Sequence, residues 1–419
     1  MKIESVVLRE NVSVKLKEIG EADILVGIPS FNNADTVKHV VRAVQAGLAK
    51  YFPDRKAILV NSDGGSSDGT MDVVDKVAIE DFQPLLISQR ENLLSKIVTP
   101  YHGIPGKGSA FRTIFHIAKE LGVKACAVVD SDLRSITPEW IELLIRPVLE
   151  RNFDFVTPYY LRHKYDGTIT NSIVYPVTRA LYGKHIRQPI GGDFGFSGRL
   201  AEFFLTKDVW ESDVARFGID IWMTTTAVAN DFRVCQSFLG AKIHSAKDPS
   251  SDLSAMLTQV VSALFMLMEE YPDKWKEVKS TDPVPMFGFQ FSVGLEPVNV
   301  NLDKMTGMFR LGISELGDIL KEIVSAESFA ALNEVSKADP FSFSDELWAR
   351  VIYDYVLAYH KKVMSPDHIL KTLTPLYLGK VASLVIDMAE SNALEVEERL
   401  ERICSAFEKQ KPYLIDQWE

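Results

Sequence analysis

Residues 125–132 read ACAVVDSD, an apolar run of strand length that ends on two carboxylates. In a strand, the side chains of Asp130 and Asp132 fall on the same side of the pleat, because strand side chains alternate with a period of two. Two like charges at the end of a buried strand repel each other unless a cation lies near them. A divalent metal that carries a phosphorylated ligand meets this need, since hard oxygen ligands suit Mg²⁺ or Mn²⁺. The structural alternative is that Asp130 begins a turn and Asp132 caps the helix that follows residues 136–138.

The order of strand, polar turn and helix also occurs earlier in the chain. Residues 24–28 (ILVGI) and 57–60 (AILV) read as buried strands, and residues 34–50 carry apolar side chains at helical spacing. This alternation predicts an α/β fold, with a doubly wound and mostly parallel sheet. Ligands bind beyond the carboxyl ends of the strands in such sheets. Three polar clusters follow strands here, at residues 29–33, 61–70 and 130–132.

A glycine-rich turn precedes the next helix. Gly106 and Gly108 flank Lys107, and the apolar positions from Phe111 to Ala118 predict a helix directly afterwards. Glycines on both sides of a lysine let backbone N–H groups face an anion at a helix N-terminus, and a diphosphate is the natural ligand there. The spacing of a Walker P-loop is absent. A surface turn with a solvated lysine is the alternative.

Composition limits the possible partners. The chain has 419 residues and a formal net charge of −11, which argues against a nucleic-acid surface and requires a local cluster of cations for any bound phosphate. The three cysteines, Cys126, Cys235 and Cys404, are far apart, which fits a reduced cytoplasm without a disulfide framework.

No segment of the sequence predicts a membrane span. The N-terminus lacks the apolar core of a signal peptide. The most apolar longer run, residues 255–268, is too short for a span and contains polar side chains, so it predicts a buried helix. We therefore expect a soluble, cytoplasmic protein.

In their order and spacing, these motifs resemble the nucleotide-sugar half of a GT-A glycosyltransferase. The motifs are PSFN at 29–32, NSDGGSSDGT at 61–70, PGKG at 105–108 and DSD at 130–132. More narrowly, QPIGGD at 188–193, FGID at 217–220 and His244 are similar to the retaining enzymes that make mannosylglycerate, glucosylglycerate and glucosyl-3-phosphoglycerate. The resemblance runs nearly the full length, because FSFSDELW at 341–348 resembles the helical domain of mannosylglycerate synthases.

The resemblance implies roles for residues on the donor side. Asp132 is the direct metal ligand, Asp130 completes the D-x-D pair nearer the ribose or sugar, and His244 is the third protein group on the metal. Lys107 grips the diphosphate. The base and ribose pocket is lined by Pro29, Phe31, Asn33 and Ser62.

The motif QPIGGD is implied to lie under the donor sugar. Gly191 and Gly192 permit a close approach of the backbone to the ligand. Asp193 would hold the sugar hydroxyls, at a position where many relatives have glutamate. The shorter side chain leaves the identity of the sugar open between glucose and mannose.

The acceptor motif of the family enzymes that use free glycerate is R-x-x-x-D-x-x-x-T, and this chain carries it as Arg162, Asp166 and Thr170. Enzymes that use 3-phosphoglycerate carry an arginine where this chain has Thr168. A single arginine fork pairs one carboxylate, which favours glycerate. Against this, Lys164 or Lys184 could supply the second cation. Structurally, the run 162–164 could be only a solvated face.

The reaction implied is retaining transfer of a hexose from UDP-glucose or GDP-mannose to the 2-hydroxyl of D-glycerate, giving a compatible solute. A divalent metal (Mg²⁺ or Mn²⁺) and Lys107 stabilise the leaving diphosphate, while Asp193 and Asp220 orient the partners. A donor phosphate oxygen takes the acceptor proton. Asp220 could instead, or in addition, cap the helix that begins at Ile221. The competing functions are glucosyl-3-phosphoglycerate synthesis, nucleotidyl transfer and a non-catalytic nucleotide-sugar scaffold.

The pattern changes after residue 268. Residues 269–300 contain four prolines and predict a connecting segment, and residues 313–323, 345–360 and 376–388 predict helices. We expect a GT-A catalytic domain over residues 1–268, a connecting segment over 269–300 and a helical C-terminal domain over 301–419. The helical domain either covers the acceptor site or forms the interface of a homodimer, and its sequence does not choose between these roles.

Overall fold

The structure, a computed structural model, describes residues 8–77, 94–101, 103–216, 218–243, 253–291, 294–295 and 297–419. Its contacts divide the chain into two compact units. The first unit comprises Met1–Leu161, Ile190–Ser245 and Val284–Gly294, and the second comprises Arg162–Pro189, Ala246–Pro283 and Leu295–Glu419. The predicted linear division at residues 268 and 300 stays a prediction.

The described strands and helices follow in chain order. The strands are β1 (Ile24–Ser30), β2 (Ala57–Asp63), β3 (Leu94–Pro100), β4 (Ala125–Val128), β5 (Phe155–Leu161), β6 (Lys184–His185), β7 (Phe194–Ser197), β8 (Val234–Ala241), β9 (Asp282–Pro283) and β10 (Met286–Phe287). The helices are α1 (Glu10–Ile19), α2 (Ala34–Tyr51), α3 (Thr70–Lys76), α4 (Lys107–Glu120), α5 (Pro138–Arg151), α6 (Tyr175–Tyr182), α7 (Gly198–Leu205), α8 (Ile219–Ala229), α9 (Ser254–Glu270), α10 (Pro272–Glu277), α11 (Leu302–Glu315), α12 (Gly317–Ile323), α13 (Ala326–Lys337), α14 (Asp345–His360), α15 (Pro366–Asp387) and α16 (Ala393–Gln417).

The first unit contains an eight-stranded sheet with the order β10-β8-β5-β7-β4-β1-β2-β3. Its neighbouring strands are parallel except at β7, which runs antiparallel to both β4 and β5. The predicted mostly parallel sheet with flanking helices is confirmed. Because β7 is reversed, its first residue lies at the edge where the parallel strands end. We call this edge the carboxyl edge.

The core of this unit lies between the sheet and its helices. β1 is buried along its whole length, and α2 presents Val37, Val40, Val41 and Val44 to the same apolar cluster. The predicted strands and the predicted helix at 34–50 are confirmed. β1 and β2 run further than the apolar residues do, because Ser30 pairs with Asp63 in register and its hydroxyl donates to the Asp63 carboxylate at 2.7 Å.

The second unit is largely helical. The predicted helix at 345–360 is α14, and the one at 376–388 lies within the longer α15 except for its last residue, Met388, which is the C-cap. The single helix predicted at 313–323 is wrong, because the chain leaves helical geometry at Leu316, between α11 and α12. Gly317, a poor helix former, follows this break. The proline-rich segment contributes β10 to the sheet of the first unit, and β9, which pairs with β6.

One helix of the described chain is long and apolar enough to cross a membrane by length and composition alone. It is α15, most of which is buried inside the protein. This is weak evidence for a span, because a buried core helix passes the same test. α15 packs closely on α11. A Cβ added at Gly312 of α11 would lie 2.4 Å from the ring of Pro375 in α15. The predicted buried helix at 255–268 is confirmed within α9.

The close packing of α5 on β7 gives a test of the sheet. A Cβ added at Gly195 would lie 2.0 Å from the carbonyl oxygen of Leu144, so Gly195→Ala forces two backbones apart. We expect it to lower the free energy of unfolding by about 3 kcal/mol. Urea unfolding measures the change. The matched control is Gly307→Ala in α11, where nothing lies within 4 Å and a change of about 0.5–1 kcal/mol in the stabilising direction is expected. Equal effects of the two substitutions would contradict this packing.

Candidate active site

Five charged side chains of the first unit meet at the carboxyl edge of the sheet. Each comes from a different part of the chain, at a strand end or in the first turn of a helix. They are Lys107, Asp130, Asp193, Asp220 and Lys242. We call this group the charge cluster.

Asp130 lies at the centre of the charge cluster. Its Oδ1 is 2.8 Å from the Lys107 ammonium and its Oδ2 is 2.7 Å from the Lys242 ammonium. Its backbone N–H donates to Asp193 Oδ1 at 2.8 Å. Burial alone would raise the pKa of Asp130, but the two lysines outweigh it and hold the pKa well below its usual range. Asp130 is therefore a permanent anion at neutral pH.

Lys107 is the first residue of α4 and contacts two carboxylates of the charge cluster and one backbone carbonyl. Besides Asp130, its ammonium lies 3.3 Å from both Asp220 oxygens and 3.4 Å from the carbonyl oxygen of Gly192. Burial by itself would lower the pKa of Lys107, but the carboxylates of Asp130 and Asp220 raise it above its usual range. Lys107 therefore stays charged, and its charge is neutralised inside the protein.

Lys242 follows β8 and binds Asp193 from the other side. Its ammonium donates to Asp193 Oδ2 and to the carbonyl oxygen of Gly191, both at 2.8 Å. The Tyr160 hydroxyl, near the end of β5, donates to the same Asp193 oxygen. Asp193 is fully buried, and its burial raises the pKa of the carboxyl, with a further contribution from the neighbouring Asp130 charge. Both oxygens of Asp193 thus have protein partners.

Asp220 is the carboxylate of the cluster with an unused oxygen. Its Oδ1 is buried and accepts no hydrogen bond among the described residues, although the Lys107 charge is near. Burial raises the pKa of Asp220, since Lys107 only partly offsets it and Asp130 adds repulsion. A buried carboxylate oxygen without a donor is costly unless a ligand completes it. A hydroxyl group of a bound ligand would supply the missing donor.

The charges of the cluster do not balance. With all groups ionised, the described members are three carboxylates against two ammoniums. The excess is one negative charge among side chains that are between 0% and 22% exposed. The site is therefore suited to a ligand that brings hydroxyl donors or a cation together with its anionic groups.

Gly192 is required by the cluster itself. Its φ is +88°, and an added Cβ would lie 2.3 Å from Asp130 Oδ2 and 3.1 Å from the Lys242 ammonium. The sequence predicts that Gly191 and Gly192 allow the backbone to approach a ligand. In the structure, the close approach at Gly192 is to the carboxylate of Asp130.

The glycines around Lys107 have a different use from the predicted one. The Gly106 N–H donates to the Tyr101 hydroxyl at 2.8 Å, and the Gly108 N–H donates to the carbonyl oxygen of Arg216 at 3.2 Å. An added Cβ at Gly108 would lie 2.2 Å from the carbonyl oxygen of Val214. The expectation that these two N–H groups face an anion is wrong, because protein groups already use them. The solvated-lysine alternative is also wrong, since Lys107 is paired.

The D-x-D pair does not share one side of a pleat. β4 ends at Val128, so Asp130 and Asp132 lie beyond the strand, and both are half-buried, with Asp130 in the charge cluster. The capping alternative for Asp132 is wrong, because the N-cap of α5 is Thr137. The Ser131 hydroxyl between the two carboxylates donates to Asn33 Oδ1 at 2.7 Å. This bond ties the D-x-D turn to the end of β1.

The predicted metal ligands fall into three different situations. Asp130 has an ammonium on each oxygen, Asp132 is half-exposed at the carboxyl edge, and His244 lies outside the described residues. Within the described ranges, no group of three or more His, Cys, Asp or Glu side chains is arranged to hold a metal ion. The donor type still fits Mg²⁺ or Mn²⁺, which bind through one or two carboxylates and take further oxygens from substrate phosphates.

The predicted base and ribose residues lie together at the ends of β1 and β2. Pro29 pairs with Ser62 in register, and Asn33 follows β1 and accepts hydrogen bonds from Ser131 and from the Phe31 N–H. The Phe31 ring is 61% exposed, which leaves an aromatic face for stacking. The Ser62 hydroxyl is buried and has no partner among the described residues. Whether these side chains bind a nucleoside stays a prediction.

The predicted acceptor residues belong to the second unit. Arg162 and Asp166 form an ion pair of 3.5 Å with both side chains about one-fifth exposed, and Thr170 is buried at the start of a π-helical turn, Thr170–Val174. The run 162–164 is half-buried, so the alternative of a solvated face is wrong. Lys164 donates to the carbonyl oxygens of Ala389 and Ser391, beyond the end of α15, whereas Lys184 is exposed.

The helix-cap alternative for Asp220 is also wrong. The N-cap of α8 is Gly218, and Asp220 lies in the first turn with its side chain directed to Lys107. Sequence reasoning missed two residues of the site, Lys242 and Tyr160. Both stand at or just after the end of a buried strand, at the same edge as the predicted clusters. Their position at strand ends is the sequence signal that indicates a site residue. The order of the strands is also needed, because it shows which strand ends are neighbours.

Comparisons with known proteins found only distantly similar solved structures. No family model matches the chain, and a search of curated proteins found no match. Solved structures that are similar include the glucosyl-3-phosphoglycerate synthase of Mycobacterium tuberculosis with Mn²⁺, UDP and glucosyl-3-phosphoglycerate, at 19% identity and a TM-score of 0.43 over 60% of this chain and 83% of that chain. The same enzyme with Mn²⁺, UDP and phosphoglyceric acid gives 20% identity and 0.43 over 60% and 82%. A mycobacterial protein gives 18% and 0.43 over 62% and 78%. Likeness at this level does not assign the chain to a family.

The missing hydrogen bond to Asp220 Oδ1 predicts a stabilising substitution. A raised pKa means that the folded protein holds the ionised carboxylate less well than the unfolded chain does. Stability therefore falls as the pH rises from the ordinary value of 3.8 through the raised pKa, and it stays lower above it. Asp220→Asn removes this cost, so we expect a gain of about 0.5–2 kcal/mol at pH 7 and none near pH 3.

Urea unfolding of wild type and Asp220→Asn across this pH range measures the gain. Asp54→Asn is the control, because Asp54 is exposed in the turn before β2 and its substitution is expected to change stability by less than about 0.5 kcal/mol. A loss of stability at pH 7 in Asp220→Asn would show that the carboxylate is well satisfied in the folded protein.

Proposed function

We propose that this protein is a metal-dependent retaining hexosyltransferase. It moves glucose or mannose from a nucleoside diphosphate sugar to the 2-hydroxyl of D-glycerate. The observation that supports it best is the charge cluster, in which a half-buried lysine at a helix N-terminus stands beside carboxylates of which one, Asp220, has an oxygen that accepts no hydrogen bond among the described residues. A diphosphate needs the cation, and a sugar or acceptor hydroxyl needs the oxygen.

Lys107 acts on the leaving group in this proposal. Its charge is now shared by Asp130 and Asp220, at 2.8 Å and 3.3 Å. A diphosphate bound near the amino end of α4 would compete for this ammonium and would also gain from the helix dipole. The preformed cation then stabilises the negative charge that develops as the bond between C1 of the sugar and the diphosphate breaks.

Asp220 acts on a hydroxyl group, and Asp193 holds the site in place. Asp220 Oδ1 accepts a hydrogen bond from a hydroxyl of the bound ligand. Asp193 is fully buried and satisfied by Lys242, Tyr160 and the Asp130 N–H, so it positions Lys242 and Asp130 beneath the sugar. The new bond joins C1 of the sugar to the 2-oxygen of glycerate on the face that the diphosphate leaves. The glycerate hydroxyl proton passes to a phosphate oxygen of the departing diphosphate, so the protein supplies position and charge and no covalent nucleophile.

A divalent metal fits the proposal through Asp132 and His244, with Asp130 as the further D-x-D carboxylate. Mg²⁺ or Mn²⁺ would neutralise the two phosphates and lower the energy of the departing diphosphate. Asp132 is half-exposed at the carboxyl edge. A residue that shares a metal ion with a substrate has to be accessible in this way.

Glycerate is preferred over 3-phosphoglycerate as the acceptor because of the charges near Arg162. Lys164, a candidate for the second cation, is used by the carbonyl oxygens of Ala389 and Ser391. Thr168 offers a hydroxyl, and it is bonded to the Tyr377 hydroxyl at 2.5 Å. The Arg162 guanidinium already faces Asp166. It is therefore better suited to the single carboxylate of glycerate than to the carboxylate and the phosphate of 3-phosphoglycerate together.

Glucosyl-3-phosphoglycerate synthesis is the second candidate, and it differs only in the acceptor. Nucleotidyl transfer is the third, and it would use a nucleoside triphosphate and release pyrophosphate.

Thermal shifts with UDP-glucose, GDP-mannose and UTP, each with and without Mg²⁺, separate these donors. A ligand at 100 times its Kd stabilises by about 2.7 kcal/mol. Stabilisation by UTP alone would replace the hexosyltransferase with the nucleotidyltransferase.

Asp132→Asn tests the metal in the proposed reaction. The substitution removes a ligand charge from a half-exposed side chain, so we expect Mg²⁺-dependent turnover to fall by about 10²-fold or more with the melting temperature unchanged. Turnover is measured as the nucleoside diphosphate that is released from each donor in the presence of glycerate.

Asp54→Asn again serves as the matched control and should keep full turnover, because Asp54 precedes β2 at the opposite edge of the sheet. Full activity in Asp132→Asn, with unchanged dependence on Mg²⁺, would exclude Asp132 as a metal ligand.

Arg162→Ala tests the acceptor. Removal of the guanidinium should raise the KM for glycerate about 10- to 100-fold and leave the KM for the donor unchanged, because a charge-assisted bond to the small acid is lost. Lys184→Ala is the control, since Lys184 is exposed in β6 and is the alternative cation. An effect confined to Lys184→Ala would move the acceptor away from Arg162.

A further inference from the structure

The segment of residues 162–172 carries the proposed acceptor residues, and the helical part of its own unit holds it in place. We call it the acceptor segment. Side chains from α14 and α15, and carbonyl groups that follow α15, bind it directly, and α16 acts on it through Arg187. Loops of this kind are otherwise among the most mobile parts of a protein.

α15 holds the acceptor segment at two points. The hydroxyls of Thr168 and Tyr377 are 2.5 Å apart, and both residues are buried. Lys164 donates to the carbonyl oxygen of Ala389 at 2.6 Å, just beyond the end of the helix. The first contact is in the middle of α15 and the second at its end, so the segment is fixed at both Lys164 and Thr168.

α14 holds the far end of the segment. The Trp348 indole N–H donates to the carbonyl oxygen of Ser172 at 2.7 Å, and the Trp348 side chain is fully buried. Ser172 lies in the π-helical turn that begins at Thr170. Such wide turns persist where the surroundings support them, and they are frequent at functional sites.

α16 reaches the acceptor residues through a chain of hydrogen bonds. Glu397 forms a bidentate pair with Arg187, with both bonds at 3.0 Å, and Arg187 donates to the Asn171 side-chain oxygen at 2.9 Å. The Asn171 amide in turn donates to the carbonyl oxygen of Asp166 at 3.1 Å. Asp166 is the ion-pair partner of Arg162. Each bond fixes the group that makes the next one.

We propose that the helical half of this protein sets the geometry of the acceptor-binding segment, with Tyr377 as a positioning residue for the small hydroxy acid. The inference rests on the proposed function, since it assigns the acceptor to Arg162, Asp166 and Thr170. Tyr377 acts through Thr168 and touches no reacting atom. A small acid offers few contacts, so the rate of transfer depends strongly on how rigidly these residues are held.

Tyr377→Phe tests this role by removing one hydroxyl and leaving the ring. The Thr168 hydroxyl then loses its buried partner, so we expect the KM for glycerate to rise about five- to tenfold while the KM for the donor stays unchanged. Native-state hydrogen exchange of the Asp166 and Asn171 amides, which bond within the segment, should speed up by about tenfold.

The matched control is Tyr355→Phe in the same unit. Tyr355 is fully buried, and its hydroxyl lies 2.8 Å from the Thr372 hydroxyl in an equivalent bond that does not touch the acceptor segment. Tyr355→Phe should lower the melting temperature by about as much as Tyr377→Phe does. It should leave the acceptor KM and the exchange rates of the Asp166 and Asn171 amides as in wild type.

The outcomes separate the two hypotheses. An acceptor KM that changes in Tyr377→Phe and not in Tyr355→Phe supports the inference. Normal turnover with an unchanged acceptor KM in both variants, or exchange rates that do not differ, would overturn it and leave the proposed function standing. No turnover by the wild type with either glycerate or 3-phosphoglycerate would remove the proposed function and the acceptor role of the segment with it.

Discussion

The carboxylate of Asp130 between two lysines is the interaction on which the rest of the site depends. An anion that is largely shielded from water is stable only with cations and hydrogen bonds around it, and here Lys107 and Lys242 each bind one oxygen of Asp130. This arrangement brings the amino end of α4 and the end of β8 to the same place. It also leaves no room for a side chain at residue 192. The position of one acid thus determines the identity of its neighbours.

The charge cluster contains more carboxylates than the stability of the fold requires. Asp193 has all its bonds satisfied by Lys242, Tyr160 and the Asp130 N–H, and yet burial keeps its pKa raised. Asp220 has even fewer partners. Proteins accept such costs where a ligand uses the groups, and the fold is then less stable than a neutral site would make it. This conflict between stability and binding is the physical argument for function here.

Much of the fold could be predicted because its signals are local. The apolar runs at β1 and β2, the helical spacing in α2 and α14 and the polar turns at strand ends each lie within a short stretch of sequence. Neighbouring strand ends then follow from the parallel sheet, which places the predicted clusters at one edge.

The failures of prediction depend on contacts between distant parts of the chain. Lys242 could not be assigned to Asp130 without the strand order, and the glycines of PGKG could not be separated from an anion site without the backbone of residues 214–216 beside them. The acceptor segment sits in the sequence between β5 and β7, two strands that pair with each other, although its partners are the last three helices. A chimaera or truncation that treats the C-terminal helices as a detachable module would therefore strip residues 162–189 of their support, so these residues and the helices have to be transplanted together.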